Sequence, residues 1–148
     1  MDIVSASYDG DTIAWYENNG AADPSWTATN IATSAGGAMS VFAADMDGDG
    51  DMDIVSASFN TDTIAWYENN GAADPTWTAA DISTSADGAI HVFVADMDGD
   101  GDMDIVSASD QDDTIAWYEN NGAADPSWAA SDIALSLIHI SEPTRLGA

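Results

Sequence analysis

The sequence predicts an all-β protein built from stacked, four-stranded antiparallel sheets. Three observations carry that expectation: the chain repeats itself, each repeat holds four short apolar runs divided by turn residues, and one run sets two large aromatics side by side. Residues 1–51 align without gaps on residues 52–102, with 40 of 51 positions identical, and a third copy runs from Met103 to about Ala134. A period of 51 residues falls close to the ~40–50 of propeller blades and well above that of ankyrin or tetratricopeptide units.

The four runs of the second unit are Ala38–Asp45, Ile54–Ser58, Thr63–Glu68 and Trp77–Ser83. They are rich in Val, Ile, Thr, Phe, Trp and Tyr, and the segments between them hold Gly, Pro, Asn and Asp, which is the pattern of strands and tight turns. No apolar period of 3.6 extends over a helix length. Trp66 and Tyr67 are consecutive, so a strand points them to opposite faces. Both faces of the sheet then need cover, which propeller blades provide by stacking on one another. The set recurs as Trp15, Tyr16, Trp26 and as Trp117, Tyr118, Trp128, with Trp77 completing the second unit. Packing between sheets is the favoured role for these rings, ahead of a sugar-stacking platform.

The expected fold is therefore a fragment of a β-propeller, about 2.6 blades on a 51-residue repeat. Residues 1–35 read as a partial blade without its first strand, 36–86 as a complete blade and 87–134 as a nearly complete one. Met1-Asp2 is equivalent to Met52-Asp53 and Met103-Asp104, so Met1 is expected to be an internal methionine of a longer protein. From Leu135 the repeat breaks into LSLIHISEPTRLGA, which holds the only Arg. Leu135 to Arg145 reads as an in-frame translation of a transposase-type sequencing adapter, and 135–148 is expected to be an artefactual tail.

Charge narrows the function classes. Asp and Glu total 27 against one basic residue, a net −26. Nucleic acid and anionic membranes are bound through Lys and Arg, so neither is an expected partner. No apolar run approaches the ~20 residues of a membrane-spanning helix. Cysteine is absent, which excludes disulfides and thiolate metal sites. The carboxylates instead suit hard cations.

Their spacing is specific. Asp45, Asp47, Asp49, Asp51 and Asp53 alternate with Met46, Gly48, Gly50 and Met52, and the motif recurs at Asp96, Asp98, Asp100, Asp102 and Asp104. Calcium takes 6–8 hard oxygens in flexible geometry, and glycine supplies the positive φ that a closed loop needs. Side-chain ligation is assigned to Asp45, Asp47, Asp49 and Asp53, and in the second loop to Asp96, Asp98, Asp100 and Asp104. Asp51 and Asp102 are expected to ligate through their carbonyls. This gives two Ca2+ sites, in loops 45–53 and 96–104. An EF-hand is excluded, because its twelfth position must be a bidentate Glu before a helix, and here it is Ser56 or Ser107 in a strand-like run.

The strand–loop–strand context, with its DxDGDGxxD loop, resembles the FG-GAP and VCBS repeats of integrin α-like β-propellers over residues 1–134. The resemblance implies that each loop joins the first two strands of a blade. It also implies a secreted or cell-surface protein, and it leaves the ligand, protein or glycan, open. His91, at the position of Ser40, reads as an ordinary strand residue. Glu17, Glu68 and Glu119 read as solvated turn residues. No catalytic residue is identified and no enzyme is expected in this chain. The leading function is adhesion or ligand binding; the alternatives are the propeller portion of an extracellular polysaccharide-acting enzyme and a structural spacer. Open end blades are expected to make the fragment marginally stable or to drive head-to-tail self-association.

Truncation after Ala134 is expected to leave melting temperature and calcium binding unchanged. Calorimetry that finds a loss beyond about 1 kcal/mol, a typical single-mutation effect, would show that the tail belongs to the fold.

Overall fold

A computed structural model describes residues 1–135. The expected foreign tail, Leu135 itself apart, lies outside the described residues. Three antiparallel sheets follow one another along the chain. The first contains β1 (Ile3–Ser7), β2 (Thr12–Asn18) and β3 (Trp26–Ala32). The second contains β4 (Ala38–Ala44), β5 (Asp53–Ser58), β6 (Thr63–Asn69) and β7 (Trp77–Ser83). The third contains β8 (Ala89–Ala95), β9 (Asp104–Ser109), β10 (Thr114–Asn120) and β11 (Trp128–Ala134). Among the described residues there is no helix. The protein is all-β, a partial propeller with each sheet a simple meander, and its third sheet has the same four strands as its second.

Register decides which side chains share a face. Val55 pairs with Trp66, and Ile54 with Tyr67. Val55 and Trp66 join Ile64 and Ala57 in one core that also takes Ile105, Ala116 and Tyr118 from the third sheet. Ile54 and Tyr67 join a second core with Ile13, Val4 and Ile31 from the first sheet. The middle sheet is thus buried on both sides, and every residue of β5 is inaccessible. Trp66 meets Trp128 edge to face at a 6.3 Å centroid separation, and Trp15 meets Trp77 in the same way at 6.4 Å. Such tilted pairs add to what the burial of the rings itself contributes. Two pairs of buried polar groups satisfy each other, one in the second sheet and one in the third: Ser56 Oγ lies 3.5 Å from the Tyr67 hydroxyl, and Ser107 Oγ lies 3.4 Å from that of Tyr118.

Turns fasten one sheet to the next. Asp11 and Asp62 have positive φ, 49° and 54°, a conformation that Asp tolerates better than most side chains. The Asp11 carbonyl accepts the Ala35 N–H at 2.9 Å and its carboxylate accepts the Gly37 N–H at 2.8 Å. Asp62 does the same for Ala86 and Gly88, at 3.0 and 2.9 Å. The innermost strands β4 and β8 lie beside each other, with Phe42 and Phe93 5.2 Å apart. Exposed His91 sits on β8, its Nδ1 3.2 Å from Ser40 Oγ.

Trp66→Ala is expected to cost about 3–5 kcal/mol, the range for deleting a buried large aromatic. Trp117→Ala, at the equivalent but half-buried position, should cost clearly less. Urea unfolding of the two variants side by side measures the difference. Equal losses would mean that stacking between sheets does not set the energetics.

Candidate metal centre

Each acidic loop joins the inner strand of a sheet to its neighbour: 45–53 runs from β4 to β5 and 96–104 from β8 to β9. The backbone folds around its own carboxylates. Asp45 Oδ1 accepts the N–H groups of Gly48 and Asp49 at 2.8 and 3.1 Å, and its Oδ2 accepts that of Gly50 at 3.0 Å. Asp47 Oδ1 accepts from Asp49 at 3.1 Å, and Asp49 Oδ1 from Asp51 at 2.8 Å. The second loop repeats these bonds from Asp96 to Asp102. The curl requires Gly50 at φ 96° and Gly101 at 96°. A Cβ at either would meet nothing within 4 Å, so glycine is needed for its conformation and not for its size.

The last aspartate anchors the loop to the sheet. Asp53 is fully buried at the start of β5; Oδ2 accepts the Met46 N–H at 3.0 Å and Oδ1 the Asn69 N–H at 2.8 Å. Asp104 makes the same pair of bonds to Met97 and Asn120, at 3.0 and 2.8 Å. Asp2 keeps the corresponding bond from Asn18 at 3.0 Å and also accepts the Trp15 indole N–H at 3.1 Å.

Asp45, Asp47 and Asp53 bring carboxylate oxygens within 4.8 Å of one another, as do Asp96, Asp98 and Asp104. Oxygens that share one Ca2+ at about 2.3–2.6 Å cannot lie much further apart than this, so both triads fit the ion. Asp49 stands outside the first triad, whereas Asp100 gathers with Asp98 and Glu119 within the same 4.8 Å limit. Asp51 and Asp102 turn away: their carboxylates lie against Gly71 and Gly122, where a Cβ would collide with them. Those glycines follow β6 and β10 at φ 70° and 72°.

Crowding perturbs the carboxyls. Loss of hydration pushes Asp47 up to about 6; the charges of Asp53 and Asp49 add to this and the Asp49 N–H opposes it. Asp98 is likewise pushed up to about 6 by desolvation, with Asp100 and Asp104 contributing. Asp98 is the more exposed of the two, so solvent screens it more than it does Asp47. Burial also raises Asp53, against the N–H groups of Asn69 and Met46 and the nearby Trp66 indole, whose N–H falls outside hydrogen-bonding geometry. Asp96 is lowered by the N–H groups of Gly101, Gly99 and Asp100. A cation would relieve the raised set, and its binding would release their protons.

Sequence reasoning missed three participants. Glu119, read as solvated, lies beside the second loop. Asn69 and Asn120, read only as turn residues, clamp the loop ends: Asn69 Nδ2 donates to the Met52 carbonyl at 3.1 Å and Asn120 Nδ2 to that of Met103 at 3.0 Å. Asn120 also reaches across to the neighbouring sheet and donates to the Met46 carbonyl of the first loop at 2.8 Å. Their recurrence in WYENNG was visible, but only strand register reveals what they touch. Beside the Met46 contact, a cleft of about 490 Å³ opens between the two loops, lined by Phe42, Met46, Met52, Met103 and Asn120 among others.

Stacked meanders with a carboxylate loop between the first two strands define a propeller-type repeat protein. The FG-GAP-like repeat model matches residues 1–56, 45–107 and 96–138, and the chain belongs to that family. No curated protein and no solved structure matches it. Among the described residues there is no helix that could cross a membrane, which leaves β-barrels unaddressed.

The raised carboxyls give the metal-free protein a definite pH dependence. Between about pH 4, near the ordinary Asp value, and pH 6, the folded Asp47 and Asp98 hold more protons than their unfolded counterparts. Stability therefore falls as pH rises through this window. The lowered Asp2 and Asp96 act in the opposite sense, but only below the ordinary carboxyl range. In chelator the melting temperature should be higher at pH 5 than at pH 7.5. Calorimetry showing the reverse order would contradict the loop electrostatics.

Proposed function

We propose that the chain is a calcium-binding repeat module of a larger secreted or cell-surface protein, one that serves adhesion or ligand binding and performs no chemistry itself. The observation that supports this reading is the pair of carboxylate triads on backbone N–H scaffolds. Asp45, Asp47 and Asp53 would hold one ion, with Asp49 and the Asp51 carbonyl available to complete the set. Asp96, Asp98, Asp100 and Asp104 would hold the second, with the Asp102 carbonyl and Glu119 within reach. Bound Ca2+ supplies charge neutralisation, so that the loop keeps its curl at neutral pH. Family membership supports an extracellular setting, where millimolar calcium suits weak sites.

The cleft between the loops favours ligand binding over a pure spacer, because its apolar floor lies next to both metal loops. Two calcium ions per chain are expected, with dissociation constants of about 10⁻⁴–10⁻³ M as in extracellular modules. Asp47→Asn should reduce the stoichiometry from two to one. Isothermal titration calorimetry with CaCl2 tests both statements; absence of calcium heat, together with an unchanged melting temperature in millimolar calcium, would refute the reading.

A further inference from the structure

The cleft of about 490 Å³ lies between the second and third sheets, where the two acidic loops stand side by side. Its volume falls within the ~300–1,000 Å³ of ligand sites. Phe42 and Val94 from the inner strands give it an apolar lining, and Met52 and Met103 line its rim, 61% and 36% exposed. Unbranched thioethers adapt their shape to what they cover. The spacing of the loops is fixed by Asn120, which is buried between them. Its Nδ2 donates to the Met46 carbonyl of the first loop and to the Met103 carbonyl of the second, at 2.8 and 3.0 Å. The cleft is thus formed before any ligand arrives, which lowers the cost of binding. Its charges have one sign. Asp45 and Asp47 line it from the first loop and Asp102 from the second. The first two accept backbone N–H groups of their own loop. Asp102 gives its N–H to Asp100, but its carboxylate, lying on Gly122, receives no hydrogen bond among the described residues. Those residues include no Lys or Arg that could pair with it. A divalent ion in each loop leaves the sign unchanged, since five aspartates per loop exceed its charge of two.

We propose, on the ligand-binding reading given above, that this cleft takes a basic peptide segment. The aliphatic stem of a lysine or arginine lies over Phe42 and Val94, and its cationic head pairs with Asp102. A long apolar stem that ends in a cation is the side-chain chemistry that matches an apolar lining and an acidic wall together. A neutral polar or acidic segment would lose hydration in the cleft and gain no partner for it. The cleft exceeds the volume of one such side chain, so the residues flanking the base are seated as well, against Met52 and Met103. The net charge of −26 draws such a segment in from a distance, and salt weakens that attraction.

Isothermal titration calorimetry of the full chain in millimolar calcium and physiological salt tests the proposal, with a blocked hexapeptide of alternating lysine and alanine as the probe. One peptide per chain should bind. The same peptide with diaminobutyrate in place of lysine keeps the charge but lacks two methylenes in each stem, and should bind about tenfold more weakly. Asp102→Asn should weaken the lysine peptide about tenfold or more, as expected for a lost charged hydrogen bond. Asp9→Asn, the same change of charge on the turn at the opposite end of the strands, should leave the affinity as it is. Ala123→Trp, at an exposed position in the cleft wall, should abolish peptide binding while the calcium stoichiometry stays at two. Circular dichroism checks that each variant is folded; if Ala123→Trp is not, the Asp102→Asn and Asp9→Asn pair decides. A peptide that does not bind, that binds equally well with diaminobutyrate or glutamate in place of lysine, or that responds alike to Asp102→Asn and Asp9→Asn overturns the proposal. Failure of the peptide with two calcium ions still bound removes the basic ligand alone, whereas absence of calcium heat removes the function proposed above.

Discussion

Everything in this structure depends on sheets that must be buried on both faces. The constraint is set by two adjacent residues, Trp66 and Tyr67, which a strand sends in opposite directions. A sheet with one apolar face could pack once and stop. Here Ile54 and Tyr67 demand a partner on one side while Val55 and Trp66 demand another on the other, and β5 between them is wholly inaccessible. Four-stranded meanders of this size cannot curl to cover themselves, so they stack, and near-identity between repeats makes each contact a copy of the last. The Asp11 and Asp62 turns then hold successive sheets in register by gripping the backbone where the next sheet begins.

The acidic loops sit at the junction of that stack and pose the opposite problem. Hydrophobic burial draws β4 and β5 together, which crowds five aspartates into a nine-residue loop. The backbone answers in part, with N–H groups donated to Asp45, Asp47 and Asp49 in sequence. That arrangement orients the carboxylates but does not neutralise them, and loss of hydration, with the charges of Asp53 and Asp49 added, drives Asp47 up to about 6. Asp53 meets the same stress differently. It is buried, yet two backbone N–H groups from separate segments hold it, so it ties the loop to β6 as well as to β5. The carboxylates of Asp45, Asp47 and Asp53 nonetheless stay within 4.8 Å of one another.

Most of the fold was legible before any coordinates, because the signal was repeated and local. The run Ala38–Asp45 became β4, ending one residue earlier at Ala44, and Ile54–Ser58 became β5, starting one residue earlier at Asp53. Trp77–Ser83 matched β7 at both ends. The spacing of the loop also led to the expected gathering of Asp45, Asp47 and Asp53, but Asp49, expected with them, stands outside the group. What stayed hidden were contacts set by register between strands. Asp53 meets Asn69 sixteen residues away, and Asp51 lies on Gly71, twenty residues away. Glu119 reaches the second loop only because β10 pairs with β9. Only the NNG end of WYENNG reads as a turn in sequence; in space Asn69 and Asn120 close their strands and fix each loop's last aspartate.

Asn120 joins the stack of sheets to the acidic loops. Its backbone N–H goes to Asp104 of its own loop, while its side chain goes to the Met46 carbonyl of the loop before. Met46 in turn gives its N–H to Asp53 and fills the core between the sheets at 2% exposure. The last carboxylates of the two loops are therefore linked by three hydrogen bonds, through Asn120 and Met46. The same Met46 side chain that seals the apolar stack belongs to the loop whose charges strain it. Sheet stacking and loop closure are thus one cooperative event: separating the sheets would unseat Met46, and a loop forced open by its own charge would withdraw Met46 from the core.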